Sequence, residues 1–502
     1  MNGEVAKHVA VYNKPVSKRA IITTVILVYI NLLNYMDRFT VSSVLPDIQK
    51  YFGNIDKIKA GLLQTVFVCA YMAFAPLFGY LGDRYSRKYL IAIGITIWSV
   101  TTFAGSCMGQ NSFWGFFALR GFVGIGEASY STVAPTIIAD LFVGSQRSVA
   151  LTIFYFAVPC GSGLGYIVGS KFSQLMNQWQ WALRVTPVLG IIAVLFTVFA
   201  MHEPKRGAAE CFEDPKKIDD VSESIVAEHP SSFIDDLRVI VHIPSFLWST
   251  AGFTCISFVV GALAWWAPDF ALYSLQKLKN NEEDTIQSVS WIFGIITFVA
   301  GVVGVAIGAE IARRWKKTNI KADSLVCAYG ILGAIPFLFF ALYIADKNQY
   351  LMWAFILIGN ILMCMNWCPN GDLLLYVVPP KCRSTAEALQ ILLIHVLGDA
   401  FSPFVVGLIS DAYTKAHPDD SNAIRMQRGL LYSLYITPFL CCFGTACYLI
   451  CSRYVEEDKM KAEKEIKTEI YKEYYSNTSN ASFPNLLVNG DESQDDYKPL
   501  VV

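Results

Sequence analysis

Six ionisable residues stand out because the stretches around them are apolar: Asp37 and Arg38, Arg120 and Glu127, His395 and Asp399. A charge in hydrocarbon costs about 3 kcal/mol or more, so such residues are expected to pair or to line an aqueous cavity. An arginine beside a carboxylate favours the ionised acid, while desolvation favours the neutral one. A cavity that opens and closes shifts that balance, so a proton can be taken up on one side and released on the other. Arg120 and Glu127 are seven residues apart in one run, which puts them on one helix face. At about 1.5 Å per residue, Asp37 lies roughly 24 Å along its run and Arg120 roughly 10 Å from the opposite face, at similar depth. The four are read as one buried network for proton coupling and switching; a static salt bridge between helices is the competing account. His395, with Asp399 one turn on, is a second proton site or a contact for a substrate phosphate, or a neutral histidine in a helix interface. Asn360, Asn366 and Asn370 line the cavity or pack between helices. Tyr35 and Tyr130, next to the charged positions, are expected in the cavity with Asn366.

What must hold these residues is a set of membrane-crossing helices. The 502 residues are 54% hydrophobic and 16% charged, against about a quarter charged in soluble domains. A net charge of −1 gives no reason to expect nucleic acid or another polyanionic partner. About 20 apolar residues cross a bilayer as helix, and twelve such runs are legible: about 21–44, 60–81, 89–109, 113–139, 148–170, 182–201, 246–271, 289–312, 323–344, 351–378, 385–411 and 429–452. The expected fold is an all-α membrane protein with two six-helix, pseudo-symmetric halves, 21–201 and 246–452. Segment 1–20, basic and without a cleavage site, is expected to be cytoplasmic rather than a signal peptide. The acidic stretch 202–245 reads as a cytoplasmic linker ending in a short amphipathic piece (Phe233, Leu237, Ile240, Val241) that could lie on the membrane surface. Segment 453–502 reads as a cytoplasmic tail, first a charged helix and then a Ser/Asn-rich disordered end. Its sequons at Asn477 and Asn480 are expected to be unused there. Basic loops carrying Arg84, Arg87 and Lys88; Arg313, Arg314, Lys316 and Lys317; and Lys381 and Arg383 all fall on the same side, which places both termini in the cytoplasm. The thirteen cysteines mostly sit in apolar runs, as packing residues rather than disulfides or metal ligands.

Two of those loops repeat a pattern. Gly79 to Lys88 contains Asp83, Arg84 and Arg87, and Gly304 to Arg314 contains Glu310 and Arg314. An acid with arginine at i+4 can form an ion pair at a helix end, and its recurrence at matching positions of two halves points to a cytoplasmic gate. Gly161, Gly165 and Gly169, beside Pro159, permit close helix approach and a bend.

The loop after the second run resembles that of the major facilitator superfamily. Four longer stretches are similar to the Spinster family of lipid transporters: Asn31 to Thr40, Arg120 to Thr132, Phe154 to Tyr166, and Arg383 to Ala388 with His395 to Asp399. The resemblance covers nearly the whole membrane region. It implies a transporter, not an enzyme, with the proton as coupling ion and no cofactor, carrying a single-chain lipid with a charged headgroup. His395 with Asp399 resembles the lysosomal lysophospholipid branch; the alternatives are a sphingosine-1-phosphate exporter and a drug-type proton antiporter. The proline–glycine run resembles one found in antiporters, so symport stays open. A membrane-embedded acyltransferase is disfavoured by the His–Asp spacing and by the lack of a serine elbow, metal cluster or phosphate loop. Tyr497 and Leu500 fit a short sorting signal for cytosolic adaptors, consistent with a lysosomal or late endosomal address, with the plasma membrane as the alternative. Membrane lipids are the remaining expected partners, and a monomer is expected to suffice.

Overall fold

A computed structural model describes residues 17–142, 144–204, 233–279, 286–379, 382–418 and 422–477, leaving some side chains within them undescribed. Every long element among these residues is helical. The first set comprises α1 (Lys18–Ser43), the short α2 (Leu45–Tyr51), α3 (Lys57–Arg84), α4 (Arg87–Ser106), α5 (Phe113–Leu141), α6 (Gly144–Met176) and α7 (Gln180–Phe199). After α8 (Phe233–Ile240) come α9 (Pro244–Lys279), α10 (Ile286–Trp315), α11 (Ala322–Ile344), α12 (Gln349–Cys364) and α13 (Trp367–Val377). The chain continues through α14 (Arg383–Ile394), a π-helical stretch His395–Asp399, α15 (Ser402–Ala416), α16 (Asn422–Leu434) and α17 (Ile436–Asn477).

Eleven helical stretches among the described residues are long and apolar enough to cross a membrane, with the paired segments α12–α13, α14–α15 and α16–α17 each counting as one. The expected twelfth, α5, is 29 residues long and packs against α3 and α4. It misses the apolar criterion because it carries Arg120, Glu127 and several hydroxyl residues, the same groups that make it chemically interesting. The charged helix expected after the last span is the end of α17. The piece α8 does not float at a membrane surface on all its apolar side: Ile240 is buried against Phe246, Leu373 and Val377. Segment 1–16, positions 205–232 and the tail with Tyr497 and Leu500 lie outside the described residues.

Glycines set the closest helix contacts. A methyl group on Gly161 or Gly165 would come within 2.5 Å of the Leu32 or Met36 carbonyl oxygen, and one on Gly169 would collide with Ser43. This stripe seats α6 on α1. The opposite side of α6 meets α10, where a Cβ on Gly163 would lie 2.7 Å from the Gly294 carbonyl oxygen. Helix α6 therefore joins the two sets through small residues on both of its faces.

Hydrogen bonds between the two sets gather away from the basic loops. Thr65 donates to the Ala400 carbonyl (2.6 Å), Ser42 to Ala264 (2.8 Å), Ser290 to Ser43 (3.1 Å) and Gln287 to Asp47 (2.5 Å). An apolar cluster with Val44, Leu45, Phe52 and Leu63 from one set and Trp265, Trp266 and Phe270 from the other seals that far side. Toward the basic face, Val149, Tyr155 and Glu387 are exposed. The molecule is closed on the far side and open toward the basic, cytoplasmic one.

Candidate functional site

Where α1 crosses α5, the four buried charges come together as two pairs. Arg120 Nη1 lies 3.4 Å from Asp37 Oδ2, and Arg38 Nη2 lies 3.1 Å from Glu127 Oε2. The depth match anticipated from helix rise is what lets Arg120 meet Asp37. All four are nearly inaccessible: Asp37 is 0% exposed, Glu127 2%, Arg120 4% and Arg38 8%. Charges this deep are stable only when their remaining hydrogen-bonding capacity is met. Asp37 accepts from the Thr186 hydroxyl (2.5 Å) on α7 and the Thr102 hydroxyl (3.4 Å) on α4. Arg120 also donates to the Arg38 carbonyl (3.4 Å). In the amide orientation that satisfies both groups, Asn34 donates to the two Glu127 oxygens at 2.6 and 2.7 Å. The Phe67 ring of α3 lies between the guanidiniums, 4.9 Å from Arg38 and 4.5 Å from Arg120. Tyr35 and Tyr71 face Arg38 at 5.0 and 5.5 Å.

The second set meets this network through α14–α15. His395 and Asp399 occupy the π-helical stretch, where the extra residue per turn re-aims side chains. His395 Nδ1 is 3.0 Å from both Asp399 oxygens, and its ring packs edge-on against Tyr71 at 6.1 Å. Both are partly exposed, with side chains at 22% and 18%. Thr65 of the first set bonds the Ala400 carbonyl just past this stretch, satisfying backbone that the irregular turn frees. Arg38, Tyr35, Tyr71 and His395 thus form a mid-membrane surface shared by both sets, with Glu127 and Asp37 behind it.

Two residues expected in the cavity sit elsewhere. Tyr130 is 2% exposed, donates to the Leu27 carbonyl (2.6 Å) and stacks near Phe154 inside the first set. Asn366 is 0% exposed at the break between α12 and α13, where its amide donates to the Met363 carbonyl (2.9 Å). Asn370 is likewise internal, linking Gln390 and Tyr448. A polar side chain in an apolar run is as useful between helices as beside a cavity, and sequence cannot tell the two positions apart. Conversely, Phe67, Tyr71, Thr102 and Thr186 belong to the site without any sequence signal beyond being ordinary in an apolar run; Asn34 lies in a stretch already singled out.

The expected gate pairs also change. Helix α3 ends at Arg84 and α4 begins at Arg87, so the i,i+4 register from Asp83 to Arg87 is not continued. The Asp83 side chain is outside the described residues, and Arg84 is exposed over the Tyr80 ring at 3.7 Å. Arg87 is buried and pairs with Asp140 of α5 (2.6 Å), while the Glu203 carboxylate accepts from the Arg87 backbone N–H (2.8 Å) and the Ser86 hydroxyl (2.5 Å). It clamps three segments of the first set to each other. Glu310 does pair with Arg314 at 2.6 Å, and with Arg313, but the pair is exposed and local to one helix.

Two helix sets, a closed far side and a charged mid-membrane junction define a membrane transporter that exposes its central site to one side at a time. The chain belongs to the major facilitator superfamily, which it matches over residues 27–413, and within it to the Spinster proteins. It is 48% identical to protein spinster homolog 1 of Homo sapiens over 454 residues, 89% of this chain and 84% of the relative. It is also 48% identical to the Xenopus laevis homolog 1 over 450 residues, 89% of this chain and 83% of that one. Among solved structures, a bacterial homolog of the human lysosomal transporter Spinster, in an inward-facing and unoccupied conformation, superposes with a TM-score of 0.73 at 19% identity. That match covers 88% of this chain and 99% of the bacterial one.

Proposed function

We propose that the chain exports lysophospholipids, lysophosphatidylcholine and lysophosphatidylethanolamine, from the lysosome by alternating access, coupled to protons. The observation that carries this reading is the junction where Arg38 faces Tyr35, Tyr71 and His395 on the exposed side and holds Glu127 on the buried side. A phosphate that engages Arg38 competes with Glu127 for the same guanidinium. An ionised Glu127 that loses its partner is a buried lone charge, and protonation relieves it. Anion binding and proton binding therefore favour each other, and by linkage the coupling is reciprocal. A headgroup at that point leaves the acyl chain among the Phe, Leu and Val side chains of the spans. The resemblance to the lysophospholipid branch, and a structural relative named for a lysosomal transporter, support the substrate and the organelle.

The test is uptake of labelled lysophosphatidylcholine into proteoliposomes with and without a pH gradient, for wild type and Asp37→Asn. Gradient-stimulated uptake lost in the variant supports the reading. Equal stimulation in both assigns the charge network a structural role, and no uptake in either turns the search to sphingosine-1-phosphate.

A further inference from the structure

A second buried charge cluster lies at the sealed far side, and the mid-membrane mechanism does not use it. Lys57 opens α3, is 3% exposed, and donates from Nζ to the Ser410 hydroxyl (2.9 Å) of α15 in the other set. A cation at a helix N-terminus opposes the helix dipole, and a buried one is desolvated as well. This is a poor place for a lysine whose task is only packing. The surroundings offset the cost. Asp411 of α15 accepts from the backbone N–H groups of Lys57 (3.2 Å) and Ile58 (2.9 Å), capping a helix of the opposite set. The contact is tight: a Cβ on Gly61 would lie 2.6 Å from the Pro403 carbonyl oxygen, and one on Gly407 2.6 Å from the Lys57 carbonyl oxygen.

Beneath this contact is Asp269 of α9. It is 0% exposed, and neither carboxylate oxygen has a hydrogen-bond partner among the described residues. Its electrostatic neighbours are Lys57 and Asp47, both from the first set, and Tyr273 one turn along its own helix. Lys57 in turn senses Asp269, Asp411 and, from α16, Arg425, and its ammonium lies 5.8 Å from the Tyr273 ring centre. Asp47 is held by Gln287 of α10 (2.5 Å). Opening the far side separates Lys57 and Asp47 from Asp269, Asp411 and Arg425.

We propose that Asp269 is a second proton-binding site, and that its ionisation state, read by Lys57, latches the far-side gate. Ionised, Asp269 attracts Lys57 across the contact and keeps the gate shut. Protonated, it leaves Lys57 with Asp411 alone, already occupied with the α3 N-terminus, and the shut state loses its attraction. Acid on the far side therefore favours opening toward the acid compartment, the state that must load cargo there. This deepens the proposed proton-coupled export and rests on it for direction. It is separate from the Asp37–Glu127 network, which lies within one helix set.

The experiment measures the gate rather than the cargo. Spin labels on non-canonical residues replacing Lys50 and Lys415, exposed at that end on opposite sets, report the inter-set distance by pulsed electron resonance in nanodiscs from pH 7.5 to 5. In wild type the long-distance fraction grows as pH falls, with the open-to-shut ratio changing by up to about tenfold per pH unit for one linked proton. Asp269→Asn is open-shifted already at pH 7.5 and flat with pH. If that variant does not fold, Lys57→Gln serves: it removes the other half of the attraction and must also be open-shifted. A wild type that ignores pH, an Asp269→Asn that keeps the wild-type response, or a Lys57→Gln that stays shut overturns the latch. Uptake of lysophosphatidylcholine by the same samples separates the two claims: a pH-driven opening without uptake retires the cargo and keeps the latch, and uptake with a fixed distance does the reverse.

Discussion

The mid-membrane network and the far-side cluster both bury charge, yet they sit differently with respect to the moving parts. Asp37, Arg38, Arg120 and Glu127 all belong to the first helix set, and their pairs persist however the sets tilt. Lys57 belongs to one set and Asp269, Ser410 and Asp411 to the other, so their contacts are made and broken in each cycle. The difference separates two tasks. Charges fixed within a set can exchange a proton for a ligand without changing the set's shape, whereas charges divided between sets register which side is open. The basic face shows the same division in miniature: Arg87, Asp140 and Glu203 lock segments inside one set, while Glu310 and Arg314 pair along a single helix and lock nothing.

The strongest way to break this contrast is Arg120→Leu. It leaves Asp37 as an uncompensated charge at 0% exposure and should cost about 3–5 kcal/mol of stability along with transport. Thermal unfolding in detergent and lipid uptake check it; an unchanged midpoint would mean Asp37 is already neutral. Next is Arg87→Ala, whose partners Asp140 and Glu203 are partly exposed, with an expected loss of about 2 kcal/mol and transport per folded molecule retained. Asp269→Asn should move the unfolding midpoint less than either while moving the gate distance more, the reverse of Arg120→Leu. Glu203→Gln tests the basic-face clamp by pH. Burial pushes its carboxyl up, but the Ser86 hydroxyl and the Arg87 and Lys88 backbone N–H groups outweigh this and hold it below the ordinary range. Its contribution is then full above the ordinary carboxylate value of about 4.3 and fades only as pH falls through the lowered folded value. The variant is expected to unfold earlier than wild type at pH 7 and to converge with it in strong acid. Smallest of all, Glu310→Gln should leave both unfolding and uptake unchanged, since an exposed pair along one helix adds little.

Much of the fold was legible because hydrocarbon leaves few alternatives: apolar runs of about 20 residues must be helices there. The expected runs correspond to observed helices, and the π-helical break falls on the His395–Asp399 pair that sequence had already singled out. The pairing of Arg120 with Asp37 followed from rise per residue alone. The gate loop misled for a specific reason. An i,i+4 argument assumes one continuous helix, and the chain breaks between Arg84 and Arg87, turning Arg87 toward Asp140. Asp269 and Lys57 were passed over because each sits near the end of a run, where a lone charge looks like an ordinary boundary residue.

The sequence by itself determined that the chain crosses a membrane many times, which end is basic, and which charges had to be buried. These are one-dimensional facts, set by the cost of polar groups in hydrocarbon and by the 3.6-residue period. Only the tertiary structure decided which of those charges share a helix set and which face each other across the divide. It also decided that Tyr130 and Asn366 pack inside bundles and that the far side is the closed one. Those outcomes depend on how each helix is rotated about its axis and on glycine-set distances between helices. Both are fixed by packing among residues hundreds of positions apart, which no local pattern encodes.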